Sequence, residues 1–345
     1  MAQNAPSLEA WRKAYEALQR VKEIAPWTWM TETDIFGVRD PETDELGFVS
    51  VMGMLGEHYA VAVYLGAIGL YGFWGLQHSG PLGSPEQVLE TPQLQASLED
   101  RNMLHDEDRE TIKQLGLKFR GRQAWPLFRS YRPGYVPWFL EADEARLLTA
   151  AMEQLLDVAP RLKADKSLLP SVRMARYLVR TPVRQGDALA WEDRIVSVPP
   201  PGPQRLDFDI NTHHLKRLIS LSHSGKRADF EIDFFMFPGP VRDEKGTRPY
   251  FPYVLLIVET RSGYVLGSEL LRPVPSLEAM WSQIPGQVVK QLHNVGLAPS
   301  EIRVRSDLLL QLLQPLTRQL RFRIKKARTL RSLDPAKNML LERFG

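Results

Sequence analysis

The sequence predicts an α+β protein, built from β-hairpins that lead into helices. Turn-separated pairs of strand-like runs recur at 35–52, 125–140 and 254–271, and each leads into apolar residues at helical spacing. Hydrophobic residues make up 43% of the chain, which is enough for a folded core. The 345 residues exceed the roughly 250–300 at which a single core stops growing, so we expect two domains.

The first helix is predicted to begin after Ser7, which can cap it, and to end before Pro26. Its apolar stripe is formed by Leu8, Trp11, Tyr15, Leu18, Val21 and Ile24. Two short strands then flank the turn at 40–44, and the run AVAVYL (60–65) predicts a third strand.

An uncharged stretch from His58 to Pro85 raises the question of a membrane span. Its apolar or glycine part, Tyr59–Leu76, is at the short limit for one. The alternation in AVAVYL favours a buried strand that runs into a short buried helix. Glycines at every third position suit close packing of that helix, and these are Gly66, Gly69, Gly72 and Gly75.

The middle of the chain carries weaker signals. Residues 78–124 predict loops with short helices at 97–103 and 106–115, followed by the second hairpin, turned at Pro133-Gly134, and its helix. A further hairpin is predicted around Gln185-Gly186-Asp187. The proline-rich run 198–204 predicts the boundary between a domain of residues 1–200 and one of 201–345.

The second domain is predicted to open with a helix near 212–220 and an alternating strand at 228–237. The third hairpin turns at Ser262-Gly263, and Pro285-Gly286 should kink or split the helix that Ser276 caps. Further elements follow in the order strand 302–305, helix 308–320, strand 320–326 and a helix from Asp334. The two strands should form a right-handed parallel crossover.

Composition excludes several function classes. The chain has no cysteine, which excludes disulfides, zinc-thiolate sites, iron–sulfur clusters and thiol nucleophiles. It contains no phosphate loop, dinucleotide fingerprint, HExxH or GxSxG motif. The first twenty residues lack the basic and apolar regions of a signal peptide. We therefore expect a cytoplasmic protein without a membrane partner.

Charge is distributed unevenly along the chain. The total is +3, but residues 1–150, 151–300 and 301–345 carry −7, +3 and +7. In the runs IRVR and LRFRIK, cations alternate with apolar residues, so neighbouring strands would place five cations on one sheet face. These are Arg303, Arg305, Arg321, Arg323 and Lys325, with Lys326, Arg328 and Arg331 just beyond. Such a face could bind nucleic acid or another polyanion, or could simply be solvated.

Two regions carry a resemblance to known families. The segments 27–53, 64–74, 248–271 and 296–334 resemble a bacterial family of two consecutive domains of unknown function. The C-terminal part is more distantly similar to the ribonuclease-H-like, or transposase-integrase, fold. That resemblance implies three carboxylates that hold two divalent metal ions: one on the first strand, one after the fourth and one on the last helix.

Carried onto this chain, that pattern falls on Glu259, Asp307, and Asp334 or Glu342. The chain departs from the pattern, because Glu replaces the usual Asp and Arg305 stands at the fourth strand's end, where it would repel metal ions. A metal-free relative of the fold is therefore favoured over an active nuclease, and Mg²⁺ is expected only under the nuclease hypothesis.

Other polar and aromatic clusters have plainer explanations. A metal site could be drawn from Asp207, Asp209, His213, His214 and His223, but a helix entry capped by Asn211 or Thr212 explains most of this group. The acidic run 105–108 is typical of a helix start. The aromatic groups at 27–29, 71–74 and 125–138 favour core packing over a ligand cage. We expect no bound metal and no cofactor.

The function is not determined by any one motif. The leading hypothesis is a non-catalytic interaction module. Its basic C-terminal sheet would bind nucleic acid or another polyanion, and its acidic, aromatic-rich N-terminal half would bind protein. The alternatives are a metal-dependent nuclease and a scaffold that binds only protein.

Overall fold

The chain divides into two units, each built on its own β-sheet. The computed structural model describes residues 4–79, 85–170, 175–186, 188–202 and 206–344. The N-terminal unit consists of Met1–Arg132 and Pro137–Gly202, and the C-terminal unit of Pro133–Val136 and Pro203–Gly345. Both sheets mix parallel and antiparallel strands and carry helices, so the α+β class is confirmed.

The N-terminal unit contains a seven-stranded sheet in the order β5-β4-β3-β2-β1-β6-β7. The strands are β1 (Phe36–Arg39), β2 (Leu46–Met52), β3 (Tyr59–Leu65), β4 (Gln93–Glu99), β5 (Trp125–Tyr131), β6 (Arg176–Gln185) and β7 (Ala188–Ser197). The helices are α1 (Leu8–Ile24), α2 (Gly66–Ser79), α3 (Pro85–Glu90), α4 (Asp106–Gln114) and α5 (Ala142–Ala164). Neighbouring strands are antiparallel except β1 and β6, which are parallel.

Both faces of this sheet are covered, as β3 shows. Val61 and Val63 pack into the core that includes residues of α1 and α5, whereas Ala62 and Tyr64 point to the opposite core beside α2. Burial on both faces explains why AVAVYL reads as a continuous apolar run. Among the described residues, no helix is both long and apolar enough to cross a membrane.

Several local predictions for this unit are confirmed. Ser7 caps α1 by accepting a hydrogen bond from the Ala10 amide, and the hairpin at 40–44 forms. The aromatic group at 27–29 and 71–74 is largely core, since Trp27 and Phe73 are buried. The β6–β7 hairpin also forms, although its predicted turn residue Asp187 lies outside the described residues, as do residues 203 and 204 of the predicted linker.

Two predictions for the middle of the chain differ from the structure. Residues 97–103 do not form a helix, because β4 ends at Glu99 and only a single 3₁₀ turn, Arg101–Met103, follows. The stretch 125–140 turns back on itself, since Trp138 and Ser130 form an antiparallel bridge with backbone hydrogen bonds of 2.8 and 3.0 Å, but the full-length partner of β5 is β4.

The loop of this turn, residues 133–136, belongs to the C-terminal unit. The Phe251 amide donates to the Gly134 carbonyl at 2.8 Å, and the Val136 amide donates to the Pro249 carbonyl at 3.0 Å. Gly134 adopts φ +81° and lies against Pro273. Two distant stretches of chain are therefore paired in this unit.

Replacing two glycines of α2 should change stability in opposite directions. A Cβ at Gly69 would lie 2.7 Å from the Pro92 carbonyl oxygen and 2.8 Å from the Tyr64 carbonyl carbon, whereas a Cβ at Gly75 meets nothing within 4 Å. Gly69→Ala should therefore lower the free energy of unfolding by about 1–3 kcal/mol. Gly75→Ala should raise it by about 0.5–1 kcal/mol through helix propensity. Urea denaturation followed by tryptophan fluorescence measures both, and equal effects would contradict the close packing of α2.

The C-terminal unit contains a five-stranded sheet in the order β10-β9-β8-β11-β12. Its strands are β8 (Arg227–Met236), β9 (Tyr253–Glu259), β10 (Val265–Leu271), β11 (Ala298–Val304) and β12 (Arg323–Lys326). Its helices are α6 (Thr212–His223), α7 (Leu277–Trp281), α8 (Ile284–Val295), α9 (Asp307–Leu320) and α10 (Asp334–Phe344). The strands β8, β9 and β10 are antiparallel, and β11 runs parallel to both β8 and β12.

The two faces of this sheet differ in character. On one face Val254, Leu256 and Val258 pack with Leu330 and Leu333 of the C-terminal segment. The opposite face carries residues of the other parity, and α6, α8 and α9 contact β11 there. The predicted helix split near Pro285-Gly286 is confirmed, because α7 begins after its cap Ser276 and ends at Trp281, before α8.

Candidate functional site

The predicted cations of β11 and β12 meet on the face that α10 partly covers. The register pairs Glu301 with Arg323 and Arg303 with Lys325, so these four side chains lie on one side of the sheet. Arg305 directly follows the end of β11. This much of the predicted cationic face is present.

Arg321 does not join that face. The helix α9 extends to Leu320, and Arg321 is its left-handed C-terminal cap with φ 53°. The strand β12 therefore begins only at Arg323, three residues later than LRFRIKK suggested. Arg321 and Arg328 are exposed on either side of β12, and neither pairs with a carboxylate among the described residues.

One buried carboxylate, Glu301, is shared by three of the cations. Its oxygens lie 2.7 Å from Lys325 Nζ, 3.0 Å from Arg303 Nε and 3.5 Å from an Arg323 Nη. The hydrogen bond from Lys325 and the nearby Arg303 hold the pKa of the Glu301 carboxyl below its usual value, against the opposing effect of burial. The side chains of Arg323 and Lys325 remain 76% and 57% exposed. An Nη of Arg303 also lies 3.9 Å from the buried Glu231 of β8, so two negative charges face three positive ones and the group keeps a net positive charge.

Two more buried acids, Glu231 and Asp233 on β8, lie on the same face. Asp233 accepts from Arg305 Nε at 3.3 Å and from Lys337 Nζ at 3.0 Å, and Arg305 also pairs with Asp334. The negative charges of Asp233 and Asp334 balance the positive charges of Arg305 and Lys337. Arg305 is therefore held inside the unit.

Glu231 anchors the segment that precedes α10. Its carboxylate accepts the amides of Ser332 at 2.8 Å and Leu333 at 2.9 Å. That segment and α10 therefore cover the middle of the face over β8 and β9. The part of this face near β12 carries Arg303, Arg323 and Lys325. Together with Arg321, Lys326 and Arg328, which lie on or beside β12 but are not all on this face, they form the surface that we call the basic edge.

The three carboxylates suggested by the nuclease resemblance each have their own partner. Glu259 accepts hydrogen bonds from the Ser262 hydroxyl and from the amides of Arg261 and Ser262. The bond from the hydroxyl, with the help of the two amides, lowers the pKa of the Glu259 carboxyl. Asp307 pairs with Lys326 at 2.6 Å, and Asp334 pairs with Arg305. Within the described ranges, no group of three or more histidines and acids is arranged to hold a metal ion.

The histidines of α6 lie beside one that the sequence did not connect to them. Asn211 caps α6 by accepting from the His213 and His214 amides, which confirms the predicted cap. The His214 ring stacks on the His293 ring of α8, with the ring centroids 4.3 Å apart. The His213 ring meets the same ring edge-on, with a centroid distance of 6.0 Å. The imidazoles therefore serve the packing of α6 on α8.

Sequence reasoning missed Glu231, Asp233 and Glu301. All three acids lie at alternate positions of their strands, as the arginines do. The alternation therefore predicts, within each strand, which side chains share a face. What the sequence does not show is the parallel pairing of β8 with β11, which sets Arg303 beside Glu231.

Comparison with family models finds two matches. Residues 11–180 match the family described as Domain of unknown function (DUF7309), and residues 214–341 match Domain of unknown function (DUF6930). Two consecutive domains of unknown function therefore cover the chain, as the sequence resemblance predicted. No curated protein matches it.

Proposed function

We propose that this chain is a non-catalytic, cytoplasmic interaction protein whose basic edge binds nucleic acid. The observation that carries the proposal is the sharing of Glu301 by Arg303, Arg323 and Lys325. A carboxylate shared in this way fixes the positions of the cations without neutralising them. The edge strand then presents a preorganised row of positive charge to phosphates.

A distant ribonuclease-H-like ancestry is part of the proposal. Counted within this unit, β8 is the first strand, β11 the fourth and α10 the last helix. Asp233 would then occupy the first carboxylate position that the resemblance implies, in place of Glu259. Asp334 would occupy the third position, to which the sequence resemblance had already assigned it. Arg305 stands between them and pairs with both. A guanidinium that neutralises two acids takes the electrostatic role of a metal ion, which supports a binding function over nuclease activity.

The test compares charge variants of the full chain in fluorescence anisotropy with mixed-sequence single-stranded RNA and DNA. Arg323→Glu/Lys325→Glu should weaken binding about 10-fold or more and flatten the salt dependence, since each lost phosphate contact removes roughly 0.7 from the log–log slope.

The matched control is Lys216→Glu/Arg217→Glu, which makes the same charge change at exposed positions of α6. It should leave affinity nearly unchanged. Salt-independent binding, no binding at low salt, or an equal loss in the control would contradict the proposal. Mg²⁺-dependent cleavage of either oligonucleotide would favour the nuclease hypothesis. A protein partner captured equally by wild type and by Arg323→Glu/Lys325→Glu, without nucleic-acid binding, would favour the scaffold.

A further inference from the structure

A cleft in the acidic N-terminal unit gathers cations that have no partners. It lies between α1 and the irregular segment 117–120 that follows α4, and its volume is about 230 Å³. Its polar lining consists of Gln19, Lys22, Lys118 and Arg120. Its apolar lining consists of Leu98, Phe119, Ala124 and Pro126.

The apolar part of the cleft is rigid. Leu98 and Pro126 are buried partners on the neighbouring strands β4 and β5, so the sheet itself forms the floor. The half-buried Phe119 ring lies nearly parallel to the Tyr15 ring, with the centroids 6.1 Å apart, and meets the Trp125 ring edge-on at a centroid distance of 6.0 Å. These contacts fix one aromatic wall beside the cations.

The charged part of the cleft is uncompensated. Within the described residues, Lys22, Lys118 and Arg120 form no hydrogen bond or ion pair. Lys22 lies in the last turn of α1, where the helix dipole favours a cation. That does not account for Lys118 and Arg120, which follow α4 outside any helix or strand and alternate with the half-buried Leu117 and Phe119.

The basic edge of the C-terminal unit provides a contrast. There, Arg303, Arg323 and Lys325 all contact Glu301. The three cations that line the cleft lack such a partner and lie beside an apolar wall, so they should give the cleft a positive potential. The cleft therefore favours an anion that has an apolar part.

We propose that this cleft binds a small phosphorylated aromatic molecule of the size of a nucleoside monophosphate. The phosphate would be bound by Lys118, Arg120 and Lys22, and the flat ring would pack on Phe119. The volume lies below the roughly 300–1,000 Å³ of pockets that hold larger ligands, which favours one ring system and one phosphate. At Gln19 the cleft adjoins a second hollow, where Tyr15 and Leu117 offer further apolar contact beside one acid, Glu16, and one base, Arg20.

Calorimetric titration of the full chain with the common nucleoside 5′-monophosphates tests the proposal, with unphosphorylated nucleosides and inorganic phosphate as separate probes. At least one monophosphate should bind more tightly than both its nucleoside and inorganic phosphate. Lys118→Ala/Arg120→Ala should weaken that binding 10-fold or more, and Phe119→Leu should weaken binding of the nucleotide but not of inorganic phosphate.

The matched control is Arg12→Ala, which removes an exposed cation of α1 outside the cleft. It should retain full affinity, and unchanged melting temperatures would show that the cleft variants are folded. Arg323→Glu/Lys325→Glu should also retain nucleotide binding, which separates this site from the basic edge. No binding of any monophosphate, equal binding of inorganic phosphate, or the same loss in Arg12→Ala would overturn the proposal.

Discussion

An Arg129→Met variant is expected to lose about 3–5 kcal/mol of unfolding free energy in the N-terminal unit, because it leaves a buried carboxylate without its counter-charge. The Arg129 and Asp108 side chains are only 9% and 10% exposed. The guanidinium donates to both Asp108 oxygens, at 2.9 and 2.6 Å, and to the Phe128 carbonyl at 2.7 Å. It also lies over the Phe139 ring at 4.9 Å.

Urea denaturation of Arg129→Met measures this loss, and two further variants interpret it. Lys113→Met removes an exposed cation of α4 that pairs with Glu110, and it should change stability by at most about 0.5 kcal/mol. The double variant Arg129→Met/Asp108→Asn should recover part of the loss, because it removes the unpaired charge as well. If Arg129→Met cost no more than Lys113→Met, the buried pair would not stabilise this unit.

A Gly286→Ala variant is expected to destabilise the C-terminal unit by at least about 2 kcal/mol, although alanine is the better helix former by about 1 kcal/mol. A Cβ at this position would lie 2.1 Å from the Asp209 carbonyl oxygen, far inside van der Waals contact. The oxygen belongs to backbone just before the Asn211 cap, so relief of the clash requires α8 to move away from the entry to α6.

Thermal denaturation followed by circular dichroism provides the measurement for Gly286→Ala. Asn294→Ala, at an exposed position of the same helix, is the matched control and should shift stability by no more than about 0.5 kcal/mol. A Gly286→Ala variant that is as stable as the parent, or more stable, would show that α8 does not pack this closely on the chain before α6.

Local signals were sufficient where the structure is locally determined. Ser7, Asn211 and Ser276 cap the helices they were expected to cap, and the turn at Ser262-Gly263 forms its hairpin. In each case the deciding contacts lie within a few residues, so spacing and residue type suffice. At Gly286 the local sequence predicts the helix break, but it does not predict the close approach to Asp209, which is distant along the chain.

Non-local pairing accounts for the errors. The strand β4 was missed although Leu94, Ala96 and Leu98 alternate with polar residues, because the polar positions suggested a loop. The turn signal Pro133-Gly134 was real, and the chain returns far enough for Trp138 to pair with Ser130, but the full-length partner of β5 is β4. Pairing between distant segments depends on topology, which single-sequence patterns do not carry.

The candidate site shows the same division. The alternation of Arg303, Arg323 and Lys325 was readable, and the register places them together as expected. Their charge balance was not readable, because it depends on Glu301 lying at the centre of the group and on Asp233 drawing Arg305 inward. Counting cations along the chain therefore overestimated the positive charge of this face.

The pairing of 133–136 with 249–251 has a consequence for how the chain can be made and cut. During synthesis, Gly134 and Val136 emerge more than a hundred residues before the backbone that they bond to. The C-terminal unit is thus complete only after both stretches have been translated. A fragment that begins after Gly202 would lack these partners for Phe251 and Pro249, so limited proteolysis is a better guide to a minimal piece than the family-model boundary.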